Sequence, residues 1–96
     1  MTFTVVTTPL FDRLARKLCL KHADLAEVLA RSVAILTQDP YNASRSHAIR
    51  KLTGIKPGEG QYRLRSGRWR IRYDVWEKAR EVESGYVGLR REDTYL

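Results

Sequence analysis

Tyr62-Arg63-Leu64-Arg65-Ser66-Gly67-Arg68-Trp69-Arg70-Ile71-Arg72-Tyr73 decides how this 96-residue chain folds. Tyr62 and Leu64 alternate with Arg63 and Arg65, and Ser66-Gly67 reads as a tight turn. Beyond it Trp69, Ile71, Tyr73 and Val75 alternate with Arg68, Arg70, Arg72 and Asp74. A period of two is the mark of a strand with one buried face, so the stretch predicts an antiparallel hairpin. One face is apolar. The other gathers Arg63, Arg65, Arg68, Arg70 and Arg72 into adjacent rows. Like charges across a ladder destabilise it, and the fold alone gives no reason to accept that cost.

Downstream, Glu77-Lys78-Ala79-Arg80 reads as a second turn and Val82 to Leu89 as a third strand, interrupted at Gly85. Val87 and Leu89 sit on its apolar side, Gly88 and Arg90 on the other. Upstream, Phe3 to Thr7 is β-branched and aromatic, which predicts a first strand. Thr8-Pro9 predicts a helix start, with threonine as the cap and proline in the first helical position. Phe11, Leu14, Ala15 and Leu18 then share one helical face, and Cys19 reads as a small core residue beside Leu18. Asp24 and Glu27 have the spacing of a capping box for a second helix. Its apolar stripe runs through Leu25, Leu29, Val33 and Leu36, widened by Val28 and Ser32, and Asp39-Pro40 closes it. The linker 20–23 is short, so the two helices form an antiparallel hairpin.

Residues 41–60 carry Asn, Ser, Gly and Pro punctuation, and Ala48, Ile49 and Leu52 are placed for one helical turn. A structureless loop of this length is unusual in a compact domain, so part of it is expected to order against the core. The expectation is one α+β domain over 1–96. It has an N-terminal strand, a helical hairpin, then a three-stranded antiparallel meander, with both helices on one face of the sheet.

The net charge is +7, and thirteen of the eighteen basic residues are arginine. Between Ala43 and Tyr73 nine basic residues face a single acid, Glu59. Guanidinium presents a planar fork suited to phosphate, so the expected partner is a polyanion, nucleic acid before an acidic protein. The alternative is a solvated strand face, which is what most charge runs are. Here few acids are interleaved to form surface ion pairs, and that favours anion binding.

Other chemistries find no support. There is no Cys/His cluster with zinc-ligand spacing, so no metal is expected. Gly58-x-Gly60 lacks the helix of a phosphate-binding fingerprint. One cysteine excludes an internal disulfide. No apolar run approaches a membrane span and no signal-peptide pattern opens the chain, so a cytoplasmic protein without membrane partner is expected. His22 reads as a surface residue. His47, just before the arginine strands, is either an ordinary loop histidine or a general acid or base for a nucleic acid.

These features resemble the RelE/ParE superfamily of toxins from bacterial type II toxin–antitoxin systems. The residues that carry the resemblance are Phe11 and Leu18 in the first helix, Leu36-x-x-Asp39-Pro40, Lys51-Leu52-x-Gly54, the Tyr62 to Tyr73 hairpin, and Val87-Gly88-Leu89-Arg90-Arg91-Glu92-Asp93-Thr94-Tyr95. The resemblance implies a cognate antitoxin as partner and no cofactor. Its RelE-like branch implies an mRNA interferase, an endoribonuclease acting on mRNA in the ribosomal A site by attack of a ribose 2′-hydroxyl on the adjacent phosphate. By position it puts Arg70, Arg90 and Tyr95 in the catalytic roles, with Arg91 offering an alternative register by one residue. Arg63 and Arg65 match the basic pair of the first hairpin strand, and Arg68, Arg72 and Lys51 join them as phosphate contacts. The chain departs from the RelE pattern in having arginines where lysines are common and Leu89 where a histidine often stands. Arginine is a poor general base, which leaves Tyr95 first and His47 second for that role. The ParE-like alternative is a non-catalytic inhibitor of DNA gyrase. A third reading is a nucleic-acid-binding module without toxicity.

Overall fold

A computed structural model describes residues 2–90. The order is β1 (Thr4–Thr7), α1 (Pro9–Lys21), α2 (Leu25–Gln38), β2 (Ile49–Lys51), β3 (Tyr62–Ser66), β4 (Trp69–Trp76) and β5 (Glu81–Leu89). The five strands form one sheet ordered β1-β5-β4-β3-β2. β3, β4 and β5 are the expected antiparallel meander, β1 adds to β5 in parallel, and β2 adds antiparallel to β3. Among the described residues no helix is long and apolar enough to cross a membrane.

The helical turn expected at Ala48, Ile49 and Leu52 is not formed. Ile49–Lys51 is extended instead, because the open edge of β3 offers Leu64, Arg63 and Tyr62 as ladder partners. Ile49 packs against the core from there.

Thr8 caps α1, its hydroxyl accepting from the Phe11 N–H at 3.1 Å, with Pro9 in the first turn. The capping box at α2 does not form. Asp24 sits at the N-cap in a helical conformation and makes no side-chain cap bond. Its carboxylate reaches across to the hairpin instead, accepting from Arg68 Nη2 at 2.8 Å and from the Trp69 indole at 2.9 Å. His22, expected at the surface, is half-buried there, its Nδ1 3.2 Å from Arg68 Nη2 and its ring edge-on to Trp69. α2 is also rotated relative to its expected stripe. Leu25, Val28, Ser32 and Leu36 are buried, whereas Val33 is 47% exposed.

The core lies between the helices and one face of the sheet. It contains Phe3, Phe11, Leu25, Val28, Leu36, Leu64, Trp69, Ile71, Tyr73, Val82 and Val87, with Cys19 packed at its margin. The two hairpin aromatics in the core, Trp69 and Tyr73, bury polar atoms, and each has a partner. Trp69 donates to Asp24, and the Tyr73 hydroxyl donates to the Pro40 carbonyl at 2.6 Å. Burial pushes the Tyr73 phenol well above its ordinary range.

The Asp24 carboxyl is held down to about 2, from an ordinary 3.8, by the Trp69 indole and then by Arg68. The depressed value means that this carboxylate stabilises the fold fully above pH ~4, and that the contribution disappears as pH falls toward 2. Asp24→Asn keeps an acceptor for the indole but loses the charge. Thermal unfolding should therefore show the wild type ahead of this variant at pH 6, with the gap closing between pH 4 and pH 2. A gap that stays constant over that interval would show that the carboxylate charge is not involved.

Candidate nucleic-acid interface

The sheet face away from the helices carries the arginines in two rungs. Arg50 on β2 pairs with Arg63, Arg63 with Arg72, and Arg72 with Tyr86 on β5. One step toward the hairpin tip, Arg65 pairs with Arg70 and Arg70 with Gly88. Three neighbouring strands, β2, β3 and β4, thus bring five arginines onto one surface. Arg50 belongs to this surface because β2 exists, and the sequence pattern does not single it out among the site residues. Arg50, Arg63 and Arg65, with Ala48 and Ile49, line an open cleft of about 200 Å³.

The two central arginines do not splay into solvent. Arg70 and Arg72 are each only 6% exposed. Arg70 Nη1 donates to the carbonyls of Gly67 and Trp69, both at 2.9 Å. Arg72 Nε and Nη2 donate to the Gly60 carbonyl at 3.1 and 2.9 Å, and Nη2 also donates to the Glu59 carbonyl at 3.0 Å. Carbonyl partners fix the direction of a guanidinium without themselves carrying a compensating charge. Arg50 and Arg65 are exposed and Arg63 is half-buried.

Arg68 does not join the row. The turn residues are Gly67 and Arg68, since Ser66 pairs with Trp69. Gly67 has φ +58 at the first turn position, where a primed hairpin turn requires a left-handed residue. Shifting the turn by one residue takes Arg68 out of the alternation, and it bonds Asp24 on the helix side. Lys51 also lies on the helix side of the sheet, opposite Tyr62, with its ammonium 5.8 Å from that ring. His47 is fixed in the 39–48 loop. Its N–H donates to Asn42 Oδ1 and its carbonyl accepts from Asn42 Nδ2, while Nε2 stands 3.8 Å from Asp39. The Asp39 carboxyl is itself lowered, first by the Ser44 hydroxyl. Arg90 follows β5, exposed, its N–H donating to the Arg68 carbonyl at 2.8 Å. Tyr95 lies outside the described residues.

Asp74, which follows Arg72 on the same side of the alternation, serves the neighbouring loop. It accepts from the N–H groups of Gly60 and Gln61 at 2.9 and 3.1 Å. Asp74 and Arg72 together clamp the 58–61 loop, one through its N–H groups and the other through its carbonyls. From Asp74 onward the same face turns acidic, with Asp74 opposite Glu83 and Trp76 opposite Glu81. The face is therefore divided, basic toward the hairpin tip and acidic toward the 77–80 turn.

The clamp needs a glycine. Gly60 has φ +81, and a Cβ there would lie 3.0 Å from Arg72 Cβ and 3.2 Å from Arg72 Nε. Gly60→Ala should cost about 1–3 kcal/mol through backbone strain and displacement of Arg72. For a domain of this size each kcal/mol lowers the midpoint by roughly 4–8 °C, which thermal denaturation resolves directly. An unchanged midpoint would mean that the loop relaxes without the clamp.

No family model matches the chain, and no curated protein matches it by sequence. Solved structures do match. A chain of the toxin–antitoxin complex RelBE2 from Mycobacterium tuberculosis superposes with a TM-score of 0.65 at 20% identity, covering 94% of this chain and 100% of that one. A chain of the archaeal RelE–RelB complex from Pyrococcus horikoshii superposes at 0.66 with 21% identity, covering 94% and 97%. Two helices on one face of a five-stranded mixed sheet, matched over nearly the full length of both, give this chain the RelE-type fold.

Proposed function

We propose that this chain is the toxin of a type II toxin–antitoxin pair and that it cuts mRNA on the ribosome. One observation carries the reading. On a fold shared with chains of RelE–RelB complexes, the sheet face away from α1 and α2 holds Arg50, Arg63, Arg65, Arg70 and Arg72 in two adjacent rungs. Such a surface matches a phosphodiester strand, and it repels itself in the absence of one.

The roles divide by setting. Arg50, Arg63 and Arg65 hold phosphates along the β2–β3 side. Arg70, oriented by the Gly67 and Trp69 carbonyls, and Arg90 at the end of β5 stabilise the charge that builds on the phosphorane when a 2′-oxygen attacks. Arg72 supports the site through its clamp on Gly60. Lys51 and Arg68 flank the surface rather than form it. Tyr95 remains the proposed base on the sequence resemblance, and His47, tied to Asp39, stands behind it. Arginines cannot take the proton, so the protein alone should be a weak nuclease, with the ribosome supplying RNA geometry. The antitoxin would be an acidic, partly disordered chain that covers the arginine face or displaces the C-terminal segment.

The test is cleavage of a defined mRNA in a purified translation system, with cut sites mapped by primer extension and with ribosomes present or omitted. Cuts inside A-site codons only when ribosomes are present are the expected result. Arg70→Ala and Arg90→Ala should each lower the rate by about 10²–10³-fold while folding and antitoxin binding persist. Absence of cuts in either tube, from a protein that is toxic in cells, would replace this reading with gyrase inhibition, which a supercoiling assay decides. Binding to single-stranded RNA gives a separate check. Arg50→Ala, Arg63→Ala and Arg65→Ala should each reduce the slope of log K against log salt by about 0.7. A slope that Arg50→Ala leaves unchanged would remove β2 from the interface.

A further inference from the structure

The arginine face also carries a tyrosine, and two glycines put it there. Along β5 the side chains alternate until Ser84, which pairs with Tyr73 on the core side. Strict alternation would send Tyr86 to the core as well. The register slips between Arg72 and Tyr73, so that Gly85 is the extra residue and Tyr86 pairs with Arg72 on the outer face. A bulge of this kind re-aims a side chain, and such bulges are frequent beside active sites. Val87 then returns to the core opposite Ile71.

The second glycine fixes where the hydroxyl lies. The Tyr86 side chain folds along the strand over Gly88, and a Cβ on Gly88 would overlap the Tyr86 hydroxyl oxygen and the Cζ that bears it. The hydroxyl therefore occupies the place of a side chain at 88, and Gly88 is the ladder partner of Arg70. A phenol group stands across from Arg70, the buried arginine of the rung nearer the hairpin tip, with Arg72 on its other flank.

We propose that Tyr86 is a further catalytic residue. Its hydroxyl donates a hydrogen bond to a non-bridging oxygen of the phosphate held at Arg70, a bond that strengthens as charge builds on the phosphorane. This rests on the endonuclease reading above. In the step, the bond from the 2′-oxygen to phosphorus forms and the bond from phosphorus to the 5′-oxygen breaks. The products are a 2′,3′-cyclic phosphate and a 5′-hydroxyl. The proton of the 2′-hydroxyl leaves to a base, the 5′-oxygen takes one from water, and Tyr86 keeps its own throughout.

Tyr86→Phe preserves the ring over Gly88 and removes only the hydroxyl. Single-turnover cleavage of ribosome-bound mRNA should fall about 10²-fold, while the melting temperature and the affinity for RNA stay within error of wild type. Gly88→Ala keeps the phenol but displaces it, so it should show the same defect. The double variant should be no slower than either single one, because both remove one contact. Tyr86→Phe cutting at the wild-type rate overturns the role of Tyr86 while leaving the endonuclease reading intact. A loss of cleavage fully matched by a loss of RNA affinity or stability also overturns it. A wild-type protein that cuts no mRNA on ribosomes overturns the endonuclease reading, and this role with it.

Discussion

Arg63 faces Arg72 and Arg65 faces Arg70 across the β3–β4 ladder, and Arg50 extends the first of these rows at the edge. Like charges in such registers oppose strand pairing. What holds the hairpin together lies on its other face and at its tip. Leu64, Trp69, Ile71 and Tyr73 are each no more than 1% exposed, and the indole and phenol of that set are both hydrogen-bonded. Burial of this kind is worth roughly 1.5–3 kcal/mol per large apolar side chain before entropy is charged against it. The arginine surface is thus carried by an apolar layer one residue away in sequence, and the same alternation produces both.

That coupling explains why so much of the fold was legible. A period of two over Tyr62 to Val75, joined by a turn and preceded by capped helices, leaves few topologies. The expected meander, the helix hairpin and the Thr8 cap are all present. The failures have physical causes. β2 is three residues long, too short for a period to register, and only the free edge of β3 makes it a strand. The hairpin turn fell one residue later than Ser66-Gly67, because the left-handed residue must come first in this turn type, and that removed Arg68 from the row. Asp24 had the spacing of a cap and was taken by an indole 45 positions away, a partner no local pattern contains.

The site was legible in its residue types and less so in their division of labour. Alternation correctly placed Arg63, Arg65, Arg70 and Arg72 together. It could not tell that Arg72 spends its donors on the Gly60 and Glu59 carbonyls, or that Asp74 answers the loop rather than an arginine. Both depend on a loop, 58–61, whose path is set by positive-φ glycines and whose contacts reach across from β4. Tyr86 was hidden for a different reason. Counted from Val82, Ser84 and Tyr86 share its face; the interruption at Gly85 puts Tyr86 on the side of Gly88, and only the ladder shows that Arg72 and Arg70 are their partners.

The change of sign along the outer face sets a footprint. From β2 to β4, at about 4.8 Å per strand, the basic rungs span roughly 10 Å across the sheet. Along the strands the basic region ends at Arg72, because Asp74, Glu81 and Glu83 take over. A patch so bounded would have room for only a few nucleotides, and its acidic border would repel a longer phosphodiester backbone from the rest of the strands. On the proposed endonuclease function, grip on free RNA would be limited accordingly, and whatever presents the strand would supply the rest of the hold. The proposed dependence on the ribosome would then be a matter of surface geometry, set by where on β4 the arginines stop.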